Sequence, residues 1–173
     1  MLTKKLIAEF VGTCFLVMIV VGSGIMAQNL SSDQIIILLA NTIATGAGLT
    51  AIIWIFISIS GAHFNPAVSL IMYLNNELKL NECIYFMSVQ FVGGFCGVLL
   101  ANIMYGLDPI QFAENQRGGL NIYFSEFIAT FGLIMTIIGV KNFNTFAIAP
   151  AVGLYISAGY WFTSSTSFAN PAV

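Results

Sequence analysis

The feature that most constrains this chain is a four-residue motif that occurs twice. Asn-Pro-Ala-Val stands at 65–68 and again at 170–173, 105 residues further on, and the same spacing pairs Ser60 with Ser165. An Asn-Pro pair favours a helix start, because Asn caps the free amides and Pro fits the first helical position. Each copy follows a long apolar segment directly. The two copies therefore indicate a duplicated unit, not two chance matches.

The composition places this duplicated unit in a membrane. Of the 173 residues, 58% are hydrophobic and only 7% are charged, and the mean hydropathy is +0.93. A soluble domain carries about 25% charged residues, so this chain cannot cover a water-facing surface. The net charge of −2 gives no reason to expect a nucleic-acid partner. With one histidine and no metal-ligand spacing among its cysteines, the sequence predicts no enzyme, no metal and no cofactor.

Long apolar segments predict an all-α membrane protein with five spans. They lie at 6–26, 35–59, 84–105, 122–140 and 146–162. The apolar stretch at 65–74 is too short to cross a hydrocarbon core, which takes about 20 helical residues. It therefore predicts a half-helix that enters the membrane and turns back.

A second repeat links the first span to the fourth. Glu9-Phe10 matches Glu126-Phe127 at an offset of 117. With the motif repeat, this predicts a single membrane channel domain over 1–173. Its first repeat covers 1–105 and a partial second repeat covers 120–173. We expect that the chain stops before a second half-helix and a sixth span, as a truncated sequence would.

The basic residues predict the topology. In the five-span arrangement Lys4, Lys5, Lys79 and Lys141 fall on one side, and Arg117 falls on the other. Cytoplasmic loops carry the excess of basic residues, so we expect a cytoplasmic N-terminus. The first motif then enters from the cytoplasm and the second from the exterior. The two halves are inverted, and their half-helices meet near the membrane midplane.

This arrangement predicts a pore for neutral solutes. Irregular backbone inside a membrane is tolerated where it is buried in protein or lines a watery cavity. Each half-helix presents a positive N-terminus there, and the amides of Asn65 and Asn170 can donate hydrogen bonds to a solute. The extended residues before each Asn offer carbonyl acceptors. Such a path passes small uncharged polar solutes and rejects ions.

The motifs resemble those of the aquaporin and aquaglyceroporin family, the major intrinsic proteins. The matching segments are Ala8-Glu9-Phe10 with Gly12-Thr13, Ser60 through Val68, Ser125-Glu126-Phe127, and Asn170-Pro171-Ala172. The resemblance implies six spans and two re-entrant half-helices that begin at Asn65-Pro66-Ala67 and Asn170-Pro171-Ala172. It also implies homotetramers with one pore per subunit, here in the inner (plasma) membrane of a bacterium.

The chain departs from this family pattern at the selectivity filter. Most members have Arg directly after the second Asn-Pro-Ala, where this chain has Val173. By their spacing from the motifs, the other filter positions are Thr45, Ala158 and Ser167. All four are uncharged and small or medium in size, which predicts a wide filter. Such a filter suits water, glycerol, urea or neutral metalloid acids such as arsenous acid, and some bacterial members with Val at this position are linked to metalloid export.

Alternatives remain open at this stage for three polar residues and for the function. Glu9 and Glu126 lie inside spans, where a carboxylate either relays protons or holds its re-entrant loop by hydrogen bonds. His63 either faces the pore or supports the loop. The rival functions are a proton- or ion-coupled secondary transporter, which also uses inverted repeats and broken helices, and a non-conducting truncated remnant.

Overall fold

The fold is a bundle of six α-helices with no strand among the residues described. The computed structural model describes residues 2–113 and 117–173; Met1 and residues 114–116, the latter within the polar loop that the sequence predicts at 106–119, lie outside the described residues. The helices are α1 (Leu2–Leu30), α2 (Gln34–Ser60), α3 (Pro66–Leu74), α4 (Leu80–Met104), α5 (Leu120–Lys141) and α6 (Ile148–Phe162). A 3-10 turn at Thr145–Ala147 leads directly into α6.

The helix boundaries follow from capping residues. Asp33 precedes α2, and its carboxylate accepts a hydrogen bond from the Ile35 amide at 2.8 Å. Gly61 ends α2 in the left-handed conformation, with φ of 93°, which glycine adopts without steric cost. Asn65 caps α3 and Pro66 is its first residue, as the motif predicts. The first spanning helix is longer than the apolar segment at 6–26 that predicted it.

Five of the described helices are long and apolar enough to cross a membrane, namely α1, α2, α4, α5 and the 3-10 turn together with α6. The nine-residue α3 is the short exception. This confirms the prediction of an all-α membrane protein with five spans and a half-helix in the first repeat.

Close helix packing joins α1 to α4. A Cβ atom added at Gly93 would lie 2.5 Å from the carbonyl oxygen of Phe10, and one added at Gly97 would lie 2.5 Å from that of Cys14. Only glycine lets the two backbones approach this closely. The glycines of the third predicted span therefore let α4 pack closely against the helix that carries Glu9.

The distribution of side chains is that of a protein in lipid. Large apolar side chains are exposed on the outside of the bundle, among them Phe15, Ile43, Phe95 and Phe131, whereas Glu9 and Gln90 are fully buried. Lys5 lies 3.8 Å from Glu82, and Lys141 pairs with Glu77. These ion pairs bring the start of α1, the α3–α4 connection and the end of α5 to one face of the bundle, as the distribution of lysines predicts.

Candidate functional site: a pore between two re-entrant loops

The two segments that lead into the motifs share one backbone conformation. Both contain left-handed residues at the same spacing of 105: Gly61, Ala62 and Phe64 in the first loop, and Thr166, Ser167 and Ala169 in the second. A non-glycine residue in this conformation costs about 1–2 kcal/mol. The surrounding structure must therefore hold each loop in place.

Glu9 holds the first loop. Its carboxylate is fully buried and accepts hydrogen bonds from the backbone amides of His63 at 3.0 Å and Phe64 at 2.7 Å. The hydroxyl of Ser60 and the amide of Gln90 donate to the same carboxylate at 2.5 and 2.8 Å. Four donors satisfy both oxygens of the carboxylate, which makes its burial tolerable.

Glu126 does the same for the second loop with fewer partners. Its carboxylate accepts hydrogen bonds from the amides of Phe168 at 3.0 Å and Ala169 at 2.7 Å. These two amides lie 105 residues after those that Glu9 binds, so the two contacts are equivalent in the two repeats. Glu126 is only half-buried, and the neighbouring Ser125 hydroxyl accepts from the Ser164 amide at 2.9 Å.

The two motif asparagines hold the loops to each other. The Asn65 side-chain amide donates to the Ala169 carbonyl at 2.7 Å, and that of Asn170 donates to the Phe64 carbonyl at 2.9 Å. Each Asn also accepts a bond from the amide two residues on, Ala67 or Ala172, at 2.9 Å. One of the two hydrogens on each side-chain amide is thus used between the loops, and the second remains for another acceptor.

A cavity of about 290 Å³ runs past both loops. Asn65 and Asn170 line its middle, and apolar side chains such as Leu49, Val152 and Ile156 form much of its wall. We call its two ends the Lys5 end and the Ser167 end. The Lys5 end is lined by Lys5, Glu77, Leu78, Lys141 and Thr145; the Ser167 end is lined by Thr45, Tyr160, Ser167, Phe168 and Val173.

At the Ser167 end, the hydroxyls of Thr45 and Tyr160 form hydrogen bonds within the wall, whereas that of Ser167 forms none among the described residues. The Thr45 hydroxyl donates to Asn41 at 3.1 Å and accepts from the Tyr160 hydroxyl at 3.1 Å. The hydroxyl of Ser167 is buried and has no hydrogen-bond partner within the described residues. Although the Ser167 residue lines the cavity, its hydroxyl is packed against Gly159 of α6 and is not exposed to a solute.

The structure brings three of the four predicted filter residues together and places the fourth elsewhere. Thr45, Ser167 and Val173 line the cavity, whereas Ala158 is exposed and is not part of its wall. Along α6 the cavity is lined at intervals of four residues, by Ile156 and then Tyr160. A position two residues from both lies about 200° around the helix from each and faces away. Along this part of α6 the described cavity is therefore lined by Tyr160 and not by Ala158.

His63 both lines the cavity and contacts its own loop. Its Nδ1 lies 3.1 Å from the Ser69 hydroxyl, and its ring packs edge-on against Phe86 with 5.3 Å between centroids. Gln90 donates to the same Ser69 hydroxyl at 2.9 Å, so His63 shares a hydrogen-bond network with Glu9. His63 thus lies in the cavity wall and also bonds to α3, and both alternatives for its role, facing the pore and supporting the loop, stay predictions.

Sequence reasoning missed three residues at this site. The missed residues are Tyr160, which lines the cavity, Gln90, which donates to Glu9, and Arg117, which contacts the second loop. The four-residue apolar stripe of α6 could have indicated Tyr160, and the polar side chain within the third span could have indicated Gln90. No local pattern marks Arg117, because its loop is brought to the site only by the fold.

Comparison with known proteins gives one family. The family model described as "Major intrinsic protein" matches residues 1–173 of this chain. The chain is 48% identical over 172 residues to aquaglyceroporin AqpS of Rhizobium meliloti (strain 1021), with 99% of this chain and 74% of that protein covered. It is 31% identical over 171 residues to aquaporin C of Dictyostelium discoideum, covering 92% of this chain and 62% of that protein.

A solved structure has the same fold. The X-ray structure of the aquaglyceroporin from Plasmodium falciparum matches with a TM-score of 0.74 at 23% identity. The match covers 98% of this chain and 79% of that one. The helices and both re-entrant loops thus belong to a fold with solved examples.

Proposed function

The chain belongs to the major intrinsic protein family, whose members are passive membrane channels for small neutral solutes such as water and glycerol, and we propose that its pore is wide enough for glycerol, urea and arsenous acid. The observation that carries this proposal is Val173 in the wall of the Ser167 end. Among the described residues, the charged side chains that line the cavity are Lys5, Glu77 and Lys141, and they lie at the other end. The filter of Thr45, Tyr160, Ser167 and Val173 is uncharged but contains one large side chain, the ring of Tyr160, so its width depends on a valine in place of an arginine at position 173.

The middle of the pore selects for neutral solutes. The positive N-terminus of α3 begins at Asn65, and a half-helix that begins at Asn170 would oppose it. The free amide hydrogens of the two asparagines then donate to the oxygen of a passing water or polyol. A cation at the same point meets positive ends and donors only, so it is repelled. Glu9 and Glu126 keep both loops in the strained conformation that this requires.

The channel that we propose is a homotetramer in the inner (plasma) membrane, with a cytoplasmic N-terminus and one pore per subunit. The grouping of Lys5, Lys79 and Lys141 on one face supports this orientation, because basic residues accumulate on the cytoplasmic side. In this orientation the Lys5 end of the cavity opens to the cytoplasm and the Ser167 end opens to the exterior. The repeat structure proposed for the chain, 1–105 and 120–173, gives each membrane leaflet one re-entrant loop.

The proposal is tested by solute flux into proteoliposomes that contain the full-length protein. We expect uptake of glycerol, urea and arsenous acid that rises linearly with concentration and does not change when a proton gradient is imposed. Saturating uptake that follows the proton gradient would instead indicate a coupled transporter. Water flux without glycerol or arsenous acid flux would show that the Ser167 end is narrow.

Two variants test which residue of α6 forms the filter. Tyr160→Ala removes a cavity-lining ring and should raise the flux of arsenous acid and glycerol by about threefold or more, since a free energy of about 0.7 kcal/mol at the barrier has this effect. Ala158→Leu is the matched control, because its larger side chain faces away from the cavity. If Ala158→Leu blocks the flux, Ala158 is a filter residue and the assignment of Tyr160 is wrong.

A further inference from the structure

The only arginine of the chain contacts the second re-entrant loop from outside the pore. Arg117 lies between α4 and α5, and its guanidinium donates a hydrogen bond to the carbonyl oxygen of Ser165. The guanidinium carbon lies 4.0 Å from the centroid of the Phe168 ring. We propose that Arg117 is a specificity-determining residue, which gives the Ser167 end a positive charge that rejects cations without narrowing the opening.

The contacts of Arg117 place this charge one side chain away from the lumen. Phe168, whose ring lies next to the guanidinium, lines the cavity, and so does its neighbour Ser167. The Phe168 backbone is fixed because its amide donates to Glu126 at 3.0 Å. The guanidinium therefore rests against a part of the pore wall that cannot easily move.

An arginine suits this position better than a lysine would. Its planar guanidinium can stack on an aromatic ring and donate to a carbonyl at the same time, and it is more weakly hydrated than an ammonium. The bond to the buried Ser165 carbonyl holds the guanidinium in place beside the Phe168 ring.

The position of the charge also explains how Val173 is tolerated. A channel with an uncharged wall at one end and mixed charges at the other has little besides its midpoint to exclude cations. Arg117 adds a charge close to the Ser167 end, but its side chain is not part of the cavity wall, so the space beside Val173 stays open. A charge near a narrow, low-dielectric opening changes the local concentration of ions by about tenfold or more.

The rival explanation is that Arg117 only holds the α4–α5 connection against the second re-entrant loop and has no electrostatic effect on the pore. The two explanations differ in their dependence on salt and on charge. A charge acts over the Debye length, which falls from about 30 Å at 0.01 M salt to about 3 Å at 1 M. A mechanical pin acts equally at both ionic strengths and depends on the shape of the side chain.

The test measures potassium leak and glycerol flux in proteoliposomes of the full-length protein with Arg117→Gln and Arg117→Lys. The matched control is Lys79→Gln, which removes one positive charge from the opposite face; Lys79 makes no side-chain bond at the start of α4. We expect Arg117→Gln to raise the ratio of potassium leak to glycerol flux about tenfold at low salt. Arg117→Lys and Lys79→Gln should stay near the wild-type leak, and the excess leak of Arg117→Gln should shrink at 1 M salt.

Three results would overturn the inference. In the first, Arg117→Gln leaks potassium no faster than the wild type at low salt. In the second, Arg117→Lys and Arg117→Gln leak potassium equally fast. In the third, the excess potassium leak of Arg117→Gln does not depend on salt. The inference rests on the proposed function, but the test can reject either one without rejecting the other. If the wild type passes water and no glycerol, the wide pore is wrong, and the potassium leak relative to water flux still decides the role of Arg117.

Discussion

The two re-entrant loops have the same backbone and unequal support. In the first loop, the fully buried Glu9 accepts four hydrogen bonds, two of them from side chains. In the second, the half-buried Glu126 accepts the two equivalent backbone bonds, and no side chain donates to it among the described residues; the position that corresponds to Gln90, 105 residues on, lies beyond residue 173. The two repeats therefore share the loop conformation and its backbone contacts with the carboxylate, and they differ at the paired serines, of which Ser60 donates to its carboxylate. Arg117 contacts the second loop.

The largest difference between the loops should appear when each carboxylate is neutralised. In Glu9→Gln, the new NH₂ group faces donors in a buried site, and at about 1–3 kcal/mol for each unsatisfied group we expect a loss of about 3–6 kcal/mol in the free energy of unfolding. Glu126→Gln should lose only about 1–3 kcal/mol, since fewer donors are affected. Thermal unfolding in detergent measures both. An equal or greater loss in Glu126→Gln would contradict the unequal support.

The asparagines give a smaller effect that tests the link between the loops. Asn65→Ala removes the cap of α3 and the bond to Ala169, so we expect a loss of about 2 kcal/mol. Asn170→Ala affects a half-buried residue and should lose about 1 kcal/mol. The double variant should lose less than the sum by about 0.5 kcal/mol or more, because both bonds join the same two loops. Strictly additive losses would show that the bonds act independently.

The smallest effect concerns the paired serines. The Ser60 hydroxyl donates to Glu9 and accepts from the Ala62 amide at 3.1 Å, whereas the Ser165 hydroxyl only accepts, from the Ser167 amide at 3.3 Å. We expect Ser60→Ala to lower the free energy of unfolding by about 1–2 kcal/mol and Ser165→Ala by about 0.5 kcal/mol. Denaturant titration of the two purified variants compares them directly. If Ser165→Ala costs as much as Ser60→Ala, the carboxylate contact of Ser60 contributes nothing.

The sequence predicts the features that depend on local chemistry and misses those that depend on how helices face one another. The five spans, the cap at Asn65 and the half-helix follow from hydropathy and capping, and the structure contains all of them. Ala158 was assigned by counting back from the second motif, but the rotation of α6 places Tyr160 in the cavity wall. Counting residues back from the second motif does not show how α6 is rotated, because irregular residues lie between α6 and the motif.

The sequence does not predict the long-range contacts between side chains, for a similar reason. Glu9 and Gln90 are 81 residues apart, and Arg117 and Ser165 are 48 apart. The repeat identified the two carboxylates as equivalent, but nothing in it shows which one has the larger set of partners. One of these partners is Gln90 in α4, and the position that corresponds to it in the second repeat lies beyond residue 173.

We propose that Val173 makes the Ser167 end wide, and a comparison of solute fluxes tests this proposal. Water, glycerol and arsenous acid fluxes would be compared in proteoliposomes of the wild-type protein and of Val173→Arg. We expect all three solutes to cross in the wild type, and the arginine variant to block glycerol and arsenous acid while water still passes. If the wild type passes water alone, or if Val173→Arg leaves glycerol flux unchanged, residue 173 does not determine the width of the pore.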